Sequence, residues 1–184
     1  MADALESEAP ENTEIAEKLA AVFSKIHAER MDGVPILNPR LEVEVIGVRQ
    51  WNGHWLALVV TPWFINLMLL PVSDEQAAAW SALPLGSGTS HRFPAGIFEF
   101  LVGDEAGIGR YQMCSLFSPV LEFQDQAAAR IAGRAALEAL FDADLDEERP
   151  KAAERSETDA DAPSGVSRRG LLMGKVASER GPTS

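Results

Sequence analysis

The stretch Trp51-Asn52-Gly53-His54-Trp55-Leu56-Ala57-Leu58-Val59-Val60-Thr61-Pro62-Trp63-Phe64-Ile65-Asn66-Leu67-Met68-Leu69-Leu70-Pro71 decides how the chain folds. Asn52-Gly53 is a hairpin signal, because this pair accepts the positive φ angles that a type I′ turn requires. Trp55 to Thr61 then reads as a buried strand rich in β-branched and large apolar residues. Pro62 lacks a backbone donor and interrupts the run. Asn66 to Val72 returns as a further strand. No charged residue occurs from Gln50 to Ser73. A membrane-spanning helix needs about 20 consecutive apolar residues. Here Asn52-Gly53, His54, Pro62, Asn66 and Pro71 break the run, so it reads as buried strands.

Outward from that stretch, Leu41, Val43 and Val45 alternate with Glu42 and Glu44, the pattern of a half-buried strand leading into the hairpin. Further upstream, Ile15, Leu19, Val22, Phe23 and Ile26 form one helical stripe, with Asn12 as cap and Gly33 and Pro35 as the stop. Downstream, Ser73 and Gln76 form a capping-box pattern that opens a short helix through Trp80. Pro84 to Gly96 is turn-rich and predicted to be irregular. Ile97 to Val102 and Arg110 to Leu116 read as strands joined by a Gly103–Gly109 loop. Asp125 to Phe141 is an alanine-rich helix, with Ile131, Ala135 and Leu140 predicted to face inward. Its internal Gly133 costs about 1 kcal/mol relative to alanine. These elements predict an α+β fold: an N-terminal helix, an antiparallel sheet of about five strands and a C-terminal helix. A disordered acidic linker and a short docking tail follow.

The 184 residues include 28 acids and 16 bases, a formal net charge of -12. The acidity sits at the ends. Residues 1–17 hold six acids and no base, and residues 142–163 hold nine acids and three bases. Residues 164–184 reverse the sign, with four bases and one acid. The predicted organisation is a disordered acidic stretch 1–11, one domain 12–141, an acidic linker 142–163 and a tail 164–184. Such a balance argues against a broad grip on nucleic acid or anionic membrane. The single cysteine, Cys114, excludes an internal disulfide and a Cys₄ metal site. His27, His54 and His91 fall in three separate elements without ligand spacing, so neither metal nor cofactor is expected. With no secretory pattern at the amino end, the cytoplasm is the expected compartment.

Two stretches are left over once the elements are assigned. Thr61-Pro62-Trp63-Phe64 reads as a bulge whose rings fill the core, as an aromatic ledge that receives an apolar peptide, or as both with one ring each. Ser167-Arg168-Arg169-Gly170-Leu171-Leu172-Met173-Gly174 pairs two arginines with apolar residues, like a twin-arginine motif placed at the wrong end of the chain. It reads as a short amphipathic segment that docks on its own domain. The Gly103/Gly107/Gly109 set has no phosphate-loop lysine and reads as a turn.

Val60-Thr61-Pro62-Trp63 with Asn66 to Pro71, Tyr111 to Pro119, and Ser167 to Gly174 together resemble the HybE/HupJ/HoxT family of [NiFe]-hydrogenase assembly chaperones. The resemblance implies a cytoplasmic, non-catalytic protein. Its partner would be a hydrogenase subunit precursor, chiefly the small subunit with its twin-arginine signal, with the large subunit also open. Export would be delayed until cofactors are in place. The candidate partner-binding residues are Thr61, Pro62, Trp63, Phe64, Asn66, Cys114, Ser115, Ser118, Pro119, Arg168 and Arg169. Two alternatives stand beside this: a small cofactor-free enzyme built on Cys114 with Ser115 and His54, or a subunit retained in the mature hydrogenase.

Overall fold

The computed structural model describes residues 10–147. In chain order the elements are α1 (Pro10–Arg30), β1 (Glu44–Trp51), β2 (His54–Val60), β3 (Ile65–Pro71), α2 (Asp74–Ser81), β4 (Gly88–Phe93), β5 (Gly96–Glu105), β6 (Gly109–Phe117), α3 (Gln126–Ala139) and α4 (Asp144–Glu147). The strands form one antiparallel sheet in the order β1-β2-β3-β6-β5-β4. Asn52 and Gly53 take φ angles of 48° and 76°, as the hairpin turn requires. The β1–β2 register runs from Trp51↔His54 at that turn to Glu44↔Val60.

β2 and β3 are buried along nearly their whole length, because each face of the sheet is covered. On one face Leu56, Leu58, Val60, Ile65, Leu67 and Leu69 pack beneath α3. On the other, Trp55, Ala57, Val59, Met68 and Leu70 meet Leu19 and Phe23 of α1. The predicted α1 stripe is therefore the one that packs. The helix starts at Pro10, so Asn12 lies within its first turn and does not cap it.

The sheet is strongly bent. β1 and β4 are its outermost strands, yet the Trp51 and Phe93 rings stack across the α3 face at 3.9 Å. Phe141, just after α3, packs edge-on against both rings. The Ala95 amide donates to the Leu140 carbonyl at 3.1 Å, which pins the β4–β5 turn to the same end of α3. α3 thus lies in the hollow of a half-rolled sheet.

The structure corrects the sequence reading at several points. Gly88–Phe93, predicted to be irregular, is the edge strand β4, so the sheet has six strands. Residues 103–105 of β5 pair with residues 109–111 of β6, which leaves Ala106-Gly107-Ile108 as the turn. The first residues of the predicted acidic linker form α4, with Leu145 packed against the core; the remainder of the linker and the tail lie outside the described residues. The inward face of α3 is Ala129, Gly133, Ala136 and Leu137, continued by Leu140, while Ile131 is 69% exposed and Ala135 also faces out. Leu140 is buried as predicted, whereas Ile131 and Ala135 are not. Small residues face the sheet because the helix lies close to it: a Cβ on Gly133 would sit 2.6 Å from Leu58 Cδ2. Gly133→Val is therefore expected to lower stability by about 2 kcal/mol through overpacking, read as a shift in the urea midpoint. Ile131→Ala should leave that midpoint nearly unchanged.

Candidate functional site

The Thr61–Phe64 turn joins β2 to β3 and is organised by one hydroxyl. Thr61 Oγ1 donates to the Phe64 carbonyl at 3.0 Å and accepts from the amides of Trp63 at 3.2 Å and Phe64 at 2.9 Å. The Thr61 amide also donates to the Phe64 carbonyl. Thr61, Pro62 and Trp63 are all buried. Trp63 is only 8% exposed, with His27 of α1 5.8 Å from its ring, and Phe23 meets Phe64 edge-on at 5.6 Å. The open aromatic ledge is therefore not present. α1 covers it, because the Leu19/Phe23 stripe needs an apolar surface to pack against, and Phe64 alone of the two rings keeps partial exposure.

Asn66 and Ser115 are cross-strand partners on β3 and β6. Asn66 is 3% exposed; its amide donates weakly to Met113 Sδ at 3.6 Å and its Oδ1 has no partner in the structure. Cys114 pairs with Leu67 and joins the α3 core at 6% exposure, on the opposite face from Ser115. Ser118 and Pro119 are exposed and joined by a cis peptide bond at the start of the loop leading to α3. Arg168 and Arg169 lie outside the described residues.

The β2–β3 turn, the end of β6, the 31–43 loop and the 118–125 loop meet at one pole of the molecule, and Asn38 holds them together. Its amide donates to the Pro62 carbonyl at 2.8 Å. Its side-chain NH₂ donates to the carbonyls of Val120 at 3.0 Å and Phe123 at 2.8 Å, and its Oδ1 accepts from the Arg40 amide at 3.0 Å. Next to it, Arg130 grips Glu44 with two hydrogen bonds, at 2.7 and 3.1 Å, and Gln126 Nε2 donates to the same carboxylate at 2.6 Å. Burial by itself would raise the Glu44 pKa. The hydrogen bonds from Arg130 and Gln126, with the charges of Arg130 and Arg134, outweigh it and hold the carboxyl below its usual range.

The surface that this framework presents includes Ile36 at 41% and Leu121 at 51% exposure, with Pro39, Pro119, Glu42 and Glu122 also exposed. Sequence reasoning missed Asn38, Ile36 and Leu121. The Asn38-Pro39 dipeptide is a turn signal, but nothing local announces that Asn38 will be buried. The histidines fall in three separate elements, α1, β2 and β4, as their spacing predicts. His54 and His91 come together with ring centroids 5.6 Å apart. Among the described residues there is still no group of three or more metal-ligating side chains. Among them, too, no helix is long and apolar enough to cross a membrane.

The family model for the [NiFe]-hydrogenase assembly chaperone HybE matches residues 14–174. The chain belongs to the HybE family. It is 38% identical over 164 residues to the hydrogenase expression/formation protein HupJ of Bradyrhizobium diazoefficiens, covering 89% of each chain. It is 39% identical over 122 residues to the protein HoxT of Cupriavidus necator, covering 61% of this chain and 67% of that one. The solution structure of HybE from Escherichia coli aligns over 81% of this chain and 91% of its own, with a TM-score of 0.48 and 22% identity. In this HybE-family chain, Thr61, Pro62, Trp63 and Cys114 build the framework, while Phe64, Ser115, Ser118 and Pro119 keep contact with the surface.

Two outcomes follow for the pole. Asn38→Ala removes the side-chain donor from the Phe123 carbonyl and leaves the Val120 carbonyl with only the Phe123 amide, which is expected to cost about 1–3 kcal/mol, measured by urea denaturation. Because folding lowers the Glu44 pKa, its contribution is fully present above about pH 4.5 and is lost as pH falls below that value. Glu44→Gln should flatten that part of the stability–pH curve.

Proposed function

We propose that this HybE-family protein is a non-catalytic cytoplasmic chaperone that holds a hydrogenase subunit precursor and delays its export until cofactors are inserted. The client is the small-subunit precursor with its twin-arginine signal. The family match across residues 14–174, together with a HupJ relative named for hydrogenase expression and formation, carries this reading.

The pole is a surface suited to such a client. A twin-arginine signal offers two guanidinium groups followed by an apolar segment, which calls for carboxylates beside exposed apolar side chains. Glu42 and Glu122 lie in the same two loops as Ile36 and Leu121. The burial of Cys114 within the α3 core suits a structural thiol better than a nucleophile.

The test is co-purification with small-subunit precursor carrying or lacking its signal. Capture should require the signal and should fall at least about tenfold in an Ile36→Asp/Leu121→Asp variant, the loss of about 1.4 kcal/mol. Equal capture without the signal would shift the client to the folded subunit body. Co-purification with active hydrogenase would identify a retained subunit instead.

A further inference from the structure

The half-rolled sheet is closed by side chains, and two of them are imidazoles. His54 opens β2 and His91 lies in β4, with β3, β6 and β5 between them in the sheet order. Their rings nevertheless meet edge-on at 5.6 Å and 83°. Trp51 lies 6.2 Å from His91, Trp80 of α2 lies 5.2 Å from His54, and Phe100 lies 5.2 Å from His91. This seam runs beside the Trp51–Phe93 stack that closes the hollow.

Two glutamines set the protonation of the pair. Gln76 Oε1 accepts from the Val72 amide at 2.8 Å, and its NH₂ donates to the Gly53 carbonyl at 3.1 Å. That orientation leaves the same NH₂ 3.0 Å from His54 Nδ1, so this nitrogen must be the acceptor. A protonated His54 would place one donor against another. His91 Nε2 lies 2.6 Å from Oε1 of Gln112, a side chain that is 2% exposed, and so carries the proton on that nitrogen. The geometry accommodates two neutral rings. It does not accommodate a charged His54.

We propose that this seam is an acid-operated latch: neutral His54, packed against His91, holds β2 and β4 together, and protonating His54 releases the edge that carries Trp51 and Phe93. Burial, followed by the charge of His91, gives His54 a net pKa below the usual 6.5. The closed form therefore keeps its full stability above about pH 6.5 and loses it as pH falls from there towards the folded value.

The charged groups on the packed elements do not reverse this. Arg49 of β1 shares the Trp51 face, its guanidinium 4.0 Å from the Phe141 ring centroid, and adds positive charge. Asp104 of β5 is held by Arg110 of β6 at 3.1 Å. Strand alternation turns Arg92 and Glu99 to the opposite face, and Asp74 and Glu75 of α2 are exposed to solvent.

The test is a titration of the full chain from about pH 8 to about pH 5, following the histidine ring and Trp51 indole signals by NMR and acrylamide quenching of tryptophan emission. The Trp51 signal should move together with the His54 ring. The open form should gain up to roughly tenfold in population per pH unit for each proton taken up. His54→Gln and His91→Gln should abolish the transition, while His27→Gln should retain it. A Trp51 signal and quenching that stay constant while the wild-type His54 ring titrates would overturn the latch, whether or not the variants fold. So would a transition that persists in the folded His54→Gln/His91→Gln double variant.

Discussion

Two adjacent strands, β2 and β3, are denied solvent on either side, and most of the architecture answers that condition. A strand with no polar face cannot sit at a surface. It requires one apolar layer above and another below. α1 supplies one through Leu19 and Phe23, and α3 supplies the other through a stripe of small residues that lets the helix lie close to Leu58. Fully burying a leucine, isoleucine or valine is worth about 1.5–3 kcal/mol, and eight of the fourteen residues of these strands are of those types. Neither helix is replaceable by a loop, because a loop would bring unsatisfied backbone groups against that apolar surface.

The bend of the sheet follows from filling its hollow with a single helix. α3 is narrow where it meets the strands, so the sheet closes around it until β1 and β4 meet through Trp51 and Phe93. The closure is made of rings and glutamine-held imidazoles, without a ladder of backbone hydrogen bonds. A seam of that kind is easier to loosen than a paired strand, because it has no cooperative register to break. The opposite end of the sheet is organised differently. There Asn38 ties three chain segments together with directional bonds, and the Glu44–Arg130 pair anchors the start of β1 to α3.

This division of labour explains why the residues carrying the family resemblance do different jobs. Thr61, Pro62 and Trp63 shape the turn from within, and Cys114 fills core space. The surface they support is made by loop residues of ordinary composition, Ile36 and Leu121 among them. Binding surfaces commonly sit on loops held by a rigid scaffold. Here β2 and β3 are consumed by the core, and the proposed client surface accordingly falls on the loops at the pole.

The sequence by itself determined the elements whose cause is local: the Asn52-Gly53 turn, the Ser73 cap, the α1 stripe and the uncharged run of β2 and β3. Each depends on residues within a few positions of one another, where φ preference, hydrogen-bond reach and helical or strand period suffice. Only the tertiary structure decided that β4 is a strand, since its polar residues are held by pairing with β5 and by Phe93 reaching across to Trp51. Only it chose the buried face of α3, where an alanine–glycine stripe displaced Ile131 because close approach to the sheet outweighs the burial of one larger side chain. Covering Trp63, joining His54 to His91 and burying Asn38 likewise required partners from distant segments. Such contacts depend on how the whole sheet bends, which no window of the chain contains.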